Sequence, residues 1–427
     1  MGHLTLKQAA RLTSRLDQNP VGAPGNEVLT EILGLLFTPE EAELAARMPY
    51  GFSSTGRLSR ILGIPAVKLE PHLNSMADKG LVMDMRKGDK AWWYLSPLII
   101  GFFEFTMMRI RTDVDQKALA DLMHRYLFED PRDAMLREVV AGDTQLVRPL
   151  VHEDALDEEV VEVLDWDRAS CLIGSAKAWS VGLCHCRHVA SHRGEACDIP
   201  MEMCLSLGPP AEMLSRRGIA RAIDKEEALD ILVRGRELGL VHLGDNVRKG
   251  AVYICNCCSC CCGILEGYRR LKDTGPIQTS NYVAAVDRDK CTDCGACAKA
   301  CPVGALTTVG EGKERRLVFD EEICIGCGVC VRSCRIDALS MRDRPSRTIP
   351  PEHTMERVVR MALERGKLQA LIFDEPDKLT HRVLRGVLGA VLNMPPAKQV
   401  LANEQLRSRF VHGFLKMAKH KSGSDVV

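Results

Sequence analysis

Residues 291–302 read CTDCGACAKACP, and residues 324–335 read CIGCGVCVRSCR. Both follow the spacing CxxCxxCxxxC, at Cys291, Cys294, Cys297 and Cys301, then at Cys324, Cys327, Cys330 and Cys334. The context decides what these thiols are for. The chain holds 19 cysteines in 427 residues, an odd count, mostly packed into short clusters. Adjacent cysteines are awkward disulfide partners. The opening residues MGHLTLKQAARLTSRL have the apolar spacing of a short basic amphipathic helix and lack the continuous apolar core of a secretory signal. Crosslinking is therefore disfavoured, and metal or redox chemistry in a reducing compartment, the cytoplasm, is expected.

The tandem runs resemble bacterial dicluster ferredoxins over residues 282–342. The resemblance implies two [4Fe-4S] clusters, and the spacing has a physical reason. Each cubane needs four thiolates at its corners; one tight CxxCxxC loop supplies three, and the fourth comes from the other run. One cluster is then assigned to Cys291, Cys294, Cys297 and Cys334, the other to Cys324, Cys327, Cys330 and Cys301. Zinc is the rival, but structural zinc sites use two separated CxxC pairs closing one tetrahedron, not a doubled run. Pro302 follows the first run as the family pattern expects, whereas Arg335 stands in that place after the second. That departure leaves all eight ligands intact and puts only the local turn in question.

Ten further cysteines form two groups. Cys184 and Cys186 lie in CHCR, with Cys197 and Cys204 following; Cys255, Cys257, Cys258, Cys260, Cys261 and Cys262 lie in CNCCSCCC. Together with GLVH at 239–242 and the doubled run, they are similar in order to a family of anaerobe proteins described as 4Fe-4S ferredoxins. That resemblance covers about 180–340 and implies electron transfer in anaerobic metabolism. An extended 255–262 would alternate its side chains, placing Cys255, Cys257 and Cys261 on one face and Cys258, Cys260 and Cys262 on the other. Neither face completes a four-thiolate site, so the two groups are expected to converge on at least one additional metal centre. An Fe–S cluster is preferred to zinc there, because zinc would use only four of the ten thiols. Arg187 is a candidate charge partner for an anionic cluster. Nucleophilic catalysis with His185, His188 or His192 as base is the weaker reading, since one thiol and one histidine would suffice for it. Cys171 stands alone on an apolar helix and reads as a small core residue.

The rest of the chain supplies the setting. Thr38-Pro39-Glu40-Glu41 predicts a capped helix to about Arg47, Ser54 caps another to Leu62, and a third runs from Ala66 to Lys79 with Pro71 in its early turns. Two β-like runs then flank Lys87-Gly88-Asp89. This is the winged-helix order, and its spacing resembles MarR-like regulators over some sixty residues. Arg57, Arg60, Lys68, Lys79, Arg86, Lys87 and Lys90 outnumber Glu70, Asp78, Asp84 and Asp89, a mild excess that makes nucleic acid the weaker partner reading. The apolar run Pro97–Met108 is too short to span a bilayer and reads as a buried helix. Further on, 167–178 reads as helix, 178–183 as strand, and Asp224 opens a helix ending near Gly239, after which GLVHLGDN turns the chain toward the second cysteine group. DTGPIQTSN is the expected linker.

The expected fold is α+β and multidomain: a helical winged-helix-like domain over 1–150, a cysteine-rich α/β domain over 151–272, a dicluster 4Fe-4S ferredoxin domain over 282–342 and a helical C-terminal region over 343–427. Lys416, Lys419, His420 and Lys421 make a basic end, read as a solvated tail. A formal net charge of zero gives no global argument for nucleic acid or anionic membrane. No nucleotide or flavin motif is present. The expected function is an electron-transfer protein relaying single electrons through two [4Fe-4S] clusters to or from a redox partner protein. The alternatives are a redox-responsive regulator using the winged helix, and a reductase acting at the upstream cysteines.

Overall fold

A computed structural model describes residues 4–156, 164–271, 279–395, 411 and 413. The fold is α+β, and it divides into two compact units. One draws on Met1–Thr106, Ile110–Glu138 and Glu352–Val427, the other on Met107–Arg109 and Val139–Pro351. The linker DTGPIQTSN spans 273–281, of which 273–278 lie outside the described residues, and the basic end at 416–421 lies outside them altogether.

In the first unit the capping residues act as expected. The Thr38 hydroxyl accepts from the Glu41 N–H at 3.2 Å and the Glu41 carboxylate accepts from the Thr38 N–H at 3.0 Å, opening the helix Pro39–Arg47. Ser54 caps the helix Thr55–Leu62 in the same sense, and Ala66–Asp78 continues through Pro71. Strands β1 (Ser53–Ser54), β2 (Val82–Lys87) and β3 (Lys90–Leu95) pair antiparallel in the order β1-β3-β2. Trp93 of β3 is wholly buried, and its indole N–H donates to Thr55 Oγ1 at 2.9 Å, tying the sheet to the helix Thr55–Leu62. Buried Leu58, Leu69, Leu73 and Met76 fill the space between.

The run Pro97–Met108 is buried, but it is not one helix. Ile99, Ile100 and Gly101 leave helical geometry, Ile100 with φ of 52°, and only Phe103–Met107 is α-helical. A Cβ at Gly101 would meet the Pro97 ring at 3.0 Å, and the Glu104 carboxylate accepts from the Gly101 N–H. Proline and a close backbone approach override the apolar pattern here.

In the second unit, β4 (Val147–Leu150), β5 (Trp179–Leu183), β6 (Glu202–Leu207), β7 (Arg221–Ile223), β8 (Val241–Asp245) and β9 (Tyr253–Cys257) form one sheet in the order β4-β8-β9-β6-β5-β7. Every pairing is antiparallel, where alternating helix and strand had suggested an α/β arrangement. GLVHLGDN is not a turn, because it contains the interior strand β8. His242 and Asp245 break its apolar pattern, yet both are buried and hydrogen-bonded, to Asn256 and to the Val252 N–H. The helix Lys225–Glu237, capped by Asp224, lays Ala228, Ile231 and Leu232 on the sheet. Its Gly235 sits so close to β9 that a Cβ would meet Asn256 Oδ1 at 2.5 Å.

The tandem runs fold as two copies of one pattern: strand, cysteine loop, short helix, strand. β10 (Tyr282–Val286) and β11 (Leu306–Val309) flank the first run, and β12 (Arg316–Phe319) and β13 (Leu339–Asp343) flank the second. β10 pairs with β13 and β11 with β12, so each copy shares its strands with the other.

Candidate metal centres

Local conformation in the two cysteine loops repeats residue for residue. Asp293 and Gly326 both take positive φ (56° and 69°), as do Gly295 and Gly328, and Gly304 and Asp337. After the last cysteine of each run the backbone turns back onto the sulfur. The Ala305 N–H donates to Cys301 Sγ at 3.2 Å, and the Ala338 N–H to Cys334 Sγ at 3.3 Å. Arg335 in place of proline therefore leaves the turn unchanged. Such N–H···S bonds stabilise a negative sulfur, the form that binds metal.

The turns aim the thiols into two cavities, each enclosing about 320 Å³ of empty space counting its open mouth. Cys291, Cys294, Cys297 and Cys334 line one, with Leu317 and Leu339 beside them. Cys301, Cys324, Cys327 and Cys330 line the other, with Ile325, Phe319 and Met341. In each cavity three thiols come from one run and the fourth from the other. Four soft donors in a cavity lined elsewhere mainly by apolar groups, Thr292 and Asp293 of the first apart, fit a compact thiolate-bound cluster. Cys324, Cys327 and Cys330 are buried, whereas Cys294 is exposed. Burial pushes the Cys324 and Cys327 thiols up in pKa and that of Cys330 to about 12, so a metal must displace their protons.

The ten upstream thiols fall into two sets. The chain is extended only to Cys257; residues 259–261 turn, and a helix starts at Gly263. That turn overrides simple face alternation. Cys197, Cys258, Cys260 and Cys261 come together with all sulfurs within 4.8 Å of one another. Cys197 and Cys258 are 3.7 Å apart, Cys260 and Cys261 3.6 Å, Cys261 and Cys197 3.9 Å.

The other six are strung along the sheet. Cys204 on β6 faces Cys255 on β9 directly. Cys255 hydrogen-bonds Cys204 and Cys257, Cys257 reaches Cys262, and Cys262 reaches Cys186, while Cys184 feels Cys255 and Cys262. The bonds with Cys204 and with Cys186 hold Cys255 and Cys262 well below the ordinary thiol range, whereas Cys186 and Cys257, on the giving side, are pushed well above it. Burial pushes Cys184 to about 12.

Arg187 stands between the sets. Its guanidinium is wholly buried, and Nη1 donates to the Asn256 carbonyl at 3.2 Å. Burial alone would lower its pKa, but the sulfurs of Cys184, Cys258 and Cys257 hold it charged. A buried cation needs a negative neighbour, and thiolates around a metal supply one.

Cys171 is half-buried on the helix Ala169–Ser175. His188 Nδ1 is 2.7 Å from the Met107 carbonyl, and its ring stacks near His192 at 4.8 Å.

Residues that sequence reasoning passed over join the upstream thiols to the second cavity. The Asn256 amide donates to the Met203 carbonyl at 2.9 Å, so its Oδ1 faces His242 and accepts from Nδ1 at 2.8 Å. The His242 ring lies 4.7 Å from that of His152, whose backbone N–H donates to the Cys327 carbonyl at 3.0 Å. The asparagine between Cys255 and Cys257 was the available signal.

The family model of the 4Fe-4S dicluster domain matches residues 290–338, the segment carrying both loops. That domain binds 4Fe-4S clusters. No curated protein and no solved structure matches the chain. Among the described residues no helix is long and apolar enough to cross a membrane.

Proposed function

We propose that this chain is an iron–sulfur electron-transfer protein of the cytoplasm, relaying single electrons between a redox partner protein and an additional metal centre upstream. Two [4Fe-4S] clusters sit in the module, one held by Cys291, Cys294, Cys297 and Cys334, the other by Cys324, Cys327, Cys330 and Cys301. The observation that carries this reading is the pair of four-thiol cavities, each with one ligand from the opposite run and one N–H···S bond to that ligand. Cluster potentials follow charge, hydrogen bonding and burial, so two differently buried sites form a natural gradient. The cluster beside exposed Cys294 is the contact for the partner, and the one beside buried Cys327 faces the upstream thiols through His152 and His242.

The test uses the full chain purified without oxygen. It should carry about four irons and four acid-labile sulfides for each cluster, bleach in the visible on reduction with dithionite, and pass those electrons to a one-electron acceptor. Bound zinc with no sulfide in the module would end the reading.

A redox-responsive regulator is the second reading, favoured by the β1-β3-β2 sheet, whose β1 precedes and whose β2 and β3 follow the helices Thr55–Leu62 and Ala66–Asp78, as in a winged helix, with Lys87 and Lys90 exposed at the hairpin tip. Against it, Arg57 pairs with Asp374, Lys79 with Glu41 and Arg86 with Asp84, which removes three of the cations a duplex would need. A gel shift of the holoprotein on its own promoter DNA, with and without dithionite, separates the two. A shift that changes with reduction would favour the regulator.

A further inference from the structure

The ten upstream thiols form a set of four and a set of six. Their spacing divides them by chemistry. A tetrahedral ion with sulfur ligands at about 2.3 Å sets its sulfurs about 3.8 Å apart, since the edge of a tetrahedron is about 1.6 times its centre-to-vertex distance. Cys197, Cys258, Cys260 and Cys261 show separations of 3.6, 3.7 and 3.9 Å, with every pair inside 4.8 Å. Thiolates on a cubane each bind a different iron and must stand further apart. The chain contains its own standard: among the described residues, neither dicluster cavity gathers three sulfurs within 4.8 Å of one another. The six thiols of Cys184, Cys186, Cys204, Cys255, Cys257 and Cys262 touch in pairs, yet no three of them meet that limit either.

We infer that Cys197, Cys258, Cys260 and Cys261 bind a single tetrahedral divalent ion, zinc or iron, and that an Fe–S cluster, where the upstream region holds one, uses the six-thiol set instead. Three ligands come from the tight turn after β9, and the fourth from the loop after the helix His185–His192. Cys258 belongs to the hydrophobic core of the sheet, and Cys197, Ile199 and Cys261 pack against it, so the ion would pin two loops to that core. A divalent ion with four thiolates keeps a net negative charge, which suits the buried Arg187 guanidinium facing Cys258. Binding releases the thiol protons to solvent and changes no oxidation state. Two adjacent pairs are then split between centres, Cys257 from Cys258 and Cys261 from Cys262, while Cys260 and Cys261 share one. The inference rests on the additional-centre reading only for the six-thiol set; the single-ion site stands without it.

The experiment is zinc, iron and acid-labile sulfide analysis of the anaerobically purified full chain, of Cys260→Ser and of Cys186→Ser, with visible spectra of each. Cys260→Ser should lose about one equivalent of zinc or of ferrous iron, and no sulfide. Cys186→Ser should keep that ion, and its sulfide should fall if the six thiols hold a cluster. Sulfide lost from Cys260→Ser would overturn the single-ion site while leaving an additional centre standing. Unchanged metal and sulfide in both variants would overturn the single-ion site and the additional centre together, while the dicluster reading survives. A Cys258→Ala variant, which keeps a small side chain in the core, repeats the measurement if Cys260→Ser fails to fold.

Discussion

Gly326→Ala should empty one cluster site and spare the other. Gly326 lies between Cys324 and Cys327 with φ of 69°, where an L side chain costs about 1 kcal/mol. Its added methyl would also stand 2.1 Å from the Tyr282 carbonyl oxygen and 2.2 Å from the Ser280 hydroxyl. Ordinary contact begins near 3.4 Å, so a backbone must move by more than an ångström. The loop cannot yield freely, because the Ser280 hydroxyl donates to the Gly326 carbonyl at 2.7 Å and the Ser280 N–H to that of Ile325 at 3.1 Å. Overpacking of this kind adds about 1–3 kcal/mol, for a total of about 2–4 kcal/mol. That strain falls on the two ligands the loop carries. Asp293 occupies the matching place in the first run, and its side chain finds an outlet beside β12, accepting from the Leu317 N–H at 2.7 Å. Alanine has no such exit at 326. Iron in the reconstituted chain should fall by about four equivalents, with sulfide in step. The reduced sample should keep the signal of one paramagnetic centre and lose the broadening caused by its neighbour. A variant with full iron, full sulfide and an unchanged reduced spectrum would refute the claim that this loop holds a cluster.

Three further outcomes follow from other contacts. The crossing of ligands predicts that Cys294→Ser with Cys334→Ser loses no more iron than either alone, while Cys294→Ser with Cys301→Ser loses about twice as much; iron analysis of the four variants decides it. Asp167 and Arg148 form a buried ion pair at 2.8 Å, with Asn281 also donating to Asp167, so Asp167→Ala should cost about 3–5 kcal/mol and lower the urea midpoint of the second unit. Burial holds His242 neutral, with its pKa lowered to about 3. The unfolded chain binds that proton near pH 6.5 and the folded one does not, so stability is present above pH 6.5 and declines as the pH falls toward 3, by about 1.4 kcal/mol per pH unit. From pH 7.5 to 5.5 the loss read from urea midpoints should total about 1.4 kcal/mol, most of it below pH 6.5, and His242→Gln should flatten it.

The eight module cysteines were legible because cluster ligation fixes their spacing along the chain, within loops too short to offer alternatives. The capped helices were legible for a similar reason, since Thr38, Ser54 and Asp224 act on backbone only three residues away. Interactions between distant residues hid the rest. β8 carries His242 and Asp245, whose partners lie on the next strand and the loop before it, so the pattern read as a turn. The division of the upstream thiols depends on a turn at 259–261 and on which loop Cys197 reaches, neither of which alternation along a strand can express. Asn256 and Gly235 matter through one close approach between a helix and a strand.

The most direct test of the central claim is the electron paramagnetic resonance spectrum of the dithionite-reduced full chain beside that of Cys334→Ser. The cavities place Cys330 of one quartet within electrostatic reach of Cys297 of the other, so two reduced clusters should interact. The intact chain should give a broadened spectrum of two coupled centres, and Cys334→Ser the sharper spectrum of one. A reduced chain with no iron–sulfur signal, or a Cys334→Ser spectrum identical to that of the intact protein, would contradict it.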